Sequence, residues 1–175
     1  MQEQSTTEQD NREMYSTVGE LVLLASAIDT QLNTVLIELF SLGNAVLLEP
    51  VIATLDPSRK IEMIKAREGF ISINNNGKKW KDALKQYVKG VEKIQKARNT
   101  VCHTPASIEN GTWILRPVQF SKLAKTIDIK SKSSYPISLD SLKDSIKIGE
   151  QTLGDGIVLV ENLKRFNVAL VSKQK

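Results

Sequence analysis

Val18, Leu21, Ala25, Ile28, Leu32, Val35 and Leu39 recur at alternating steps of three and four, a seven-residue apolar repeat held over three heptads. Only a helix gathers that spacing on one side, and a seven-residue seam calls for a partner helix with a matching one. Such a partner stands near the other end of the chain. There Leu142, Ile146, Gly149, Leu153, Val160 and Leu163 follow the same pattern. A third stripe, Trp80, Leu84, Tyr87, Val91 and Ile94, lies between them. These seams predict an all-α fold, an up-and-down helical bundle.

Caps and breakers set the expected boundaries. Thr17 with Glu20 forms a capping box, which opens a first helix over 17–42 that Gly43-Asn44 ends. A short apolar helix over 45–54 is disturbed by Pro50, and Asp56-Pro57 opens another running to about residue 68. Asn74-Asn75-Asn76-Gly77 reads as a turn before a lysine-rich helix that starts at Lys78. That helix cannot run far past His103, because Pro105 disfavours helical geometry at Thr104. The period then changes. Alternating apolar residues over 112–120 (Trp113, Leu115) and 126–132 (Ile127, Ile129) predict a small β-hairpin at 112–132, inserted before the last helix. Ser138 caps that last helix, expected over 138–167, and Gly149 and Gly156 within it suggest close packing against the first helix. Residues 1–13 read as a flexible leader and 14–175 as one domain.

A 41% apolar content over 175 residues is enough for a core. No run approaches the roughly 18 consecutive apolar residues of a membrane span, and the polar start lacks the regions of a signal peptide. Cys102 is the sole cysteine, which excludes an intrachain disulfide and a multi-cysteine metal site. No Gly-rich phosphate loop, HExxH pair or GxSxG elbow is present. The expectation is a cytoplasmic protein without cofactor or metal and with no membrane contact.

Charge is unevenly spread. Residues 78–98 hold seven lysines and Arg98 against Asp82 and Glu92. Lys85, Lys89, Lys93 and Lys96 belong to a ridge beside the apolar stripe. It is either a solvated face or a track for RNA. The ridge leads to Arg98-Asn99-Thr100-Val101-Cys102-His103, where Arg98 occupies the slot that the stripe assigns to an aliphatic residue. A guanidinium is permanently charged and carries five fixed donors, so it is costly in a seam unless an anion meets it. His103, the single histidine of the chain, falls in the last helical turn, where the helix dipole favours a cation. Asn99 lies four residues before it and shares its face.

This layout resembles the HEPN superfamily of helical domains: a long first helix, an Asp-Pro-Ser-Arg-Lys-Ile helix start, a helix closing on a motif, a hairpin and a final helix. HEPN ribonucleases are similar in carrying an arginine, four to six residues beginning with a polar one, and a histidine. Here these are Arg98, Asn99 and His103 with four residues intervening. The resemblance implies a metal-independent endoribonuclease, a toxin or defence protein with a cognate antitoxin as candidate partner. It equally admits a non-catalytic relative binding RNA, a nucleotide or a protein.

Metal-free cleavage needs a group to activate the 2′-hydroxyl, one to protonate the leaving oxygen, and charge to stabilise the phosphorane. Imidazole exchanges protons near neutral pH, and the guanidinium fork matches two phosphate oxygens. One histidine is thin for both proton transfers, and a twofold dimer would bring two histidines to one cleft. Val22, Leu36 and Phe40, off the main stripe of the first helix, suggest such a homodimer. Asp29, amid apolar neighbours, is a candidate carboxylate partner for Arg98 or His103. Plainer roles stand beside these: Arg98 as a seam residue paired with Asp29, His103 as a helix cap, Cys102 as a small buried hydrophobe, and Trp80 and Tyr87 as core.

Overall fold

Thr17 caps nothing. In the computed structural model, which describes residues 2–40, 45–68, 75–104, 106–109, 112–115 and 137–172, its Oγ1 donates 2.8 Å back to the Glu13 carbonyl. That bond to the preceding turn is made from inside a helix. The first helix, α1, therefore spans Gln2–Leu39. No glycine or proline precedes Val18 to stop it, so the stretch read as a flexible leader is helical.

The other helices are α2 (Ala45–Ala53), α3 (Pro57–Glu68), α4 (Asn75–His103) and α5 (Leu139–Ser172). Two caps work as the sequence suggests. Asp56 Oδ1 accepts from the Arg59 N–H at 3.0 Å, and Ser138 Oγ accepts from the Ser141 N–H at 3.2 Å. The Arg59 N–H holds the Asp56 carboxyl below its ordinary value, so the cap is in place at neutral pH and is lost as acid protonates it. The turn read at 74–77 is taken into α4 from Asn75 onward. The helix ends at His103, as Pro105 dictates.

The chain divides into two compact units. The first comprises Met1–Ala25 and Lys93–Ile148. Its core is Met14, Leu21, Val101, Leu142 and Ile146, with Val18, Val22, Leu24, Ala97 and Leu139 packed against it. It also holds three short strands: β1 (Ala106–Glu109), β2 (Thr112–Leu115) and β3 (Ile137–Ser138). They form one antiparallel sheet in that order, with Glu109 opposite Thr112 and Leu115 opposite both Ala106 and Ile137. Of the hairpin expected at 112–132, only the first strand falls among the described residues. That strand, Thr112–Leu115, pairs with β1 upstream and with β3 downstream. Residues 116–136 lie outside the described residues.

The second unit comprises Ser26–Glu92 and Gly149–Lys175. Ile28, Leu32, Val35 and Leu36 of α1, Ile61 and Ile64 of α3, Leu84, Tyr87 and Val91 of α4, and Leu159, Val160 and Leu163 of α5 are all buried. Leu36 is thus core, and Val22 packs in the first unit; of the three residues suggesting a dimer, Phe40 alone is exposed, beneath the Arg67 guanidinium at 5.9 Å. By length and composition the Arg12–Leu39 stretch is apolar enough to cross a membrane. Two of its polar side chains bond within the second unit, Asp29 to Lys60 and Gln31 Nε2 at 2.9 Å to the Leu153 carbonyl.

Gly156 is what admits Gln31. A Cβ there would run into the Gln31 amide and stand 2.6 Å from Tyr87 Cε2. Gly156→Ala is therefore expected to destabilise by about 1–3 kcal/mol through overpacking, outweighing the ~1 kcal/mol that alanine gains in helix propensity. Urea denaturation against wild type measures it; an unchanged or raised midpoint would show that Gln31 simply swings away.

Candidate functional site

The last two turns of α4 carry the proposed chemistry. The buried side there is Ile94, Thr100, Val101 and Thr104, with Ala97 packed against the first-unit core. Ala97, one residue before Arg98, therefore takes the seam slot. The seam makes two successive three-residue steps, Val91 to Ile94 to Ala97, and this turns Arg98 out to solvent. Its charge is hydrated and needs no buried anion.

Arg98 Nη1 donates to Asn99 Oδ1 at 2.9 Å, an exposed contact between neighbours. The bond uses the oxygen of the amide, so the Asn99 NH₂, unpaired among the described residues, can meet an acceptor. His103 is exposed in the final turn and, among the described residues, makes no hydrogen bond or ion pair. Cys102 beside it is free and exposed, not the buried hydrophobe expected. Thr100 Oγ1 donates to the Lys96 carbonyl, while buried Thr104 Oγ1 has no partner among the described residues. Arginine, amide and imidazole thus share one helix end that presents donors and, among the described residues, no carboxylate.

Asp29 belongs elsewhere. In the second unit its Oδ1 accepts from Lys60 Nζ at 2.8 Å, and Lys60 is fully buried. Its partner is this lysine, not Arg98 or His103. Lys60 escaped the sequence reading because a lysine in a helix start looks the same whether solvated or buried. Tyr87 lies near this pair, 1% exposed, with no partner for its hydroxyl among the described residues. Burial, helped by the Asp29 charge, pushes that hydroxyl well above its ordinary value, so it stays protonated.

The lysine ridge splits into two kinds. Lys85 reaches Glu68 Oε1 at 3.5 Å, a carboxylate it shares with Lys81 at 3.8 Å. Glu92, one of the two acids in that stretch, is taken by Lys65 at 2.6 Å. Lys89, Lys93 and Lys96 are exposed and have no ion pair among the described residues. Tyr87 is core as expected, whereas Trp80 is only partly buried and packs its ring 6.3 Å from that of Phe166. Among the described residues no three His, Cys, Asp or Glu side chains gather as a metal site. Compared with known protein families, curated proteins and solved structures, the chain matches none.

Proposed function

We propose that this chain is a metal-independent endoribonuclease of the HEPN type, working as a homodimer in which Arg98, Asn99 and His103 of both copies line one cleft. The observation that carries this reading is the exposed Arg98–Asn99–His103 end of α4, unneutralised by any carboxylate among the described residues. An arginine serving as a seam residue would be buried and ion-paired, and Arg98, among the described residues, is neither. In the proposed reaction one imidazole takes the proton of the ribose 2′-hydroxyl as its oxygen attacks phosphorus. The second gives a proton to the departing 5′-oxygen, leaving a 2′,3′-cyclic phosphate and a 5′-hydroxyl. Arg98 and the Asn99 NH₂ group meet the charge on the phosphorane oxygens.

Two further features support the reading. The unit that holds His103 exposes Tyr15 and Leu23, each 73% accessible, which suits an interface with a second copy. Free Cys102 suits a reducing cytoplasm. A cognate antitoxin protein is the candidate regulator. Light scattering at micromolar concentration is expected to give a dimer; a monomer that still cleaves RNA would overturn the shared cleft.

Lys89, Lys93 and Lys96 are the proposed RNA track, with Lys85 contributing less because Glu68 already holds it. Lys89→Gln with Lys93→Gln is expected to flatten the dependence of log K on log salt by about 0.7 for each single-strand phosphate that is no longer neutralised. Stability should not change, since both side chains are solvated. An unaltered salt slope would return the ridge to a solubilising face.

A further inference from the structure

In the second unit, α4 and α5 enclose a groove of about 500 Å³, within the size range of small-molecule sites. Its apolar wall is Trp80, Ala83, Val158 and Leu159. Only Leu159 is fully covered; Val158 is 58% exposed, and Phe166, against the Trp80 ring at a 54° tilt, is 52% exposed. Aromatic surface left to water beside a concave floor is a stacking platform in want of a flat partner.

The polar lining narrows what that partner is. Lys79, Gln86, Asp155 and Asn162 share the groove with the rings. Gln86 Nε2 reaches Asp155 Oδ2 only at 3.5 Å, the outer limit of a hydrogen bond, so the carboxylate remains available. An aliphatic peptide side chain would desolvate these groups without pairing them, which is costly. A nucleobase would stack on the indole and satisfy them along its edge. Asp155 offers two adjacent acceptors and no donor. Guanine, with N1–H and the 2-amino group side by side, matches that pair; adenine has an acceptor at N1 and does not. Lys79 supplies a point charge for a phosphate.

We propose that this groove binds a guanine base carrying a phosphate, with the base stacked on Trp80, its N1–H and 2-amino group on Asp155, and its phosphate near Lys79. The site lies on side chains other than those of the nuclease reading and does not depend on it. The same chemistry is offered by a free guanine nucleotide and by a guanine in single-stranded RNA.

Calorimetric titration of the intact wild-type protein tests this directly. Guanosine 5′-monophosphate is expected to bind at least about tenfold more tightly than inosine 5′-monophosphate, which lacks the 2-amino donor, and more tightly still than adenosine 5′-monophosphate. Asp155→Asn should remove the preference for guanine, and Trp80→Leu should weaken all bases alike; the nucleotide series on wild type stands even if a variant misfolds. A pentanucleotide with one central guanine among uridines distinguishes the sources: tighter binding than the monophosphate assigns the groove to RNA, weaker binding to a free nucleotide. No binding of guanosine 5′-monophosphate at millimolar concentration, or equal binding of the guanine and adenine forms, overturns the proposal.

Discussion

His103→Ala is expected to lower RNA cleavage by about 100- to 10,000-fold, the usual cost of removing a general acid–base group, while the protein stays folded. The second half of that expectation comes from position. His103 is exposed in the last turn of α4 and contributes nothing to the first-unit core of Met14, Leu21, Val101, Leu142 and Ile146. Arg98→Ala should cost a similar factor, and because Arg98 is equally exposed the loss cannot be ascribed to packing. Arg98→Lys should rescue poorly, since an ammonium keeps the charge but not the fork that meets two phosphate oxygens. Activity should persist in EDTA and leave a 2′,3′-cyclic phosphate. Circular dichroism separates chemistry from folding in each variant. Should purified dimer bind RNA yet never cut it, the exposed Arg98–Asn99 pair is a phosphate-binding element without catalysis. Should cleavage survive His103→Ala, the nuclease assignment fails.

What the sequence carried clearly was periodic or steric. The seven-residue seams of α1 and α5 are buried along most of their length, and Pro105 stops α4 at His103 because its ring forbids helical geometry before it. Asp56 and Ser138 cap where their side chains can reach the N–H three residues on. What misled was any pattern with two physical meanings. Thr17 followed by Glu20 fits a capping box, but a mid-helix threonine bonding back to Glu13 presents the same letters. The apolar alternation at 112–115 marked a strand correctly but not its partner, because alternation says which residues share a face and not which strand lies alongside. Arg98 fell on the seam only for a strict seven-residue repeat; one additional three-residue step gave the slot to Ala97 and changed the arginine from a buried charge in need of Asp29 into an exposed donor. The candidate site was therefore legible as residues, while its electrostatics depended on a single residue of helix phase.

Asp29→Ala is expected to be among the most destabilising single changes away from the site, at roughly 3 kcal/mol, because breaking a buried pair strands the surviving charge. The two partners are unequal. Lys60 is 0% exposed and Asp29 34%, so the lysine depends on the carboxylate far more than the carboxylate depends on it. Removing Asp29 leaves a fully buried ammonium without its carboxylate, next to Ile61 on a helix whose Ile64 is also buried. Lys60→Met keeps much of the side-chain volume and leaves Asp29 with access to water, so it should cost little or even stabilise. In the Lys60→Met background, Asp29→Ala should in turn become nearly silent. The double-mutant cycle in urea thus predicts a coupling close to the whole cost of Asp29→Ala, and the asymmetry between the two single variants is its signature. Equal losses from Asp29→Ala and Lys60→Met would mean that both groups are equally desolvated. An Asp29→Ala variant as stable as wild type would mean that Lys60 reaches solvent once released.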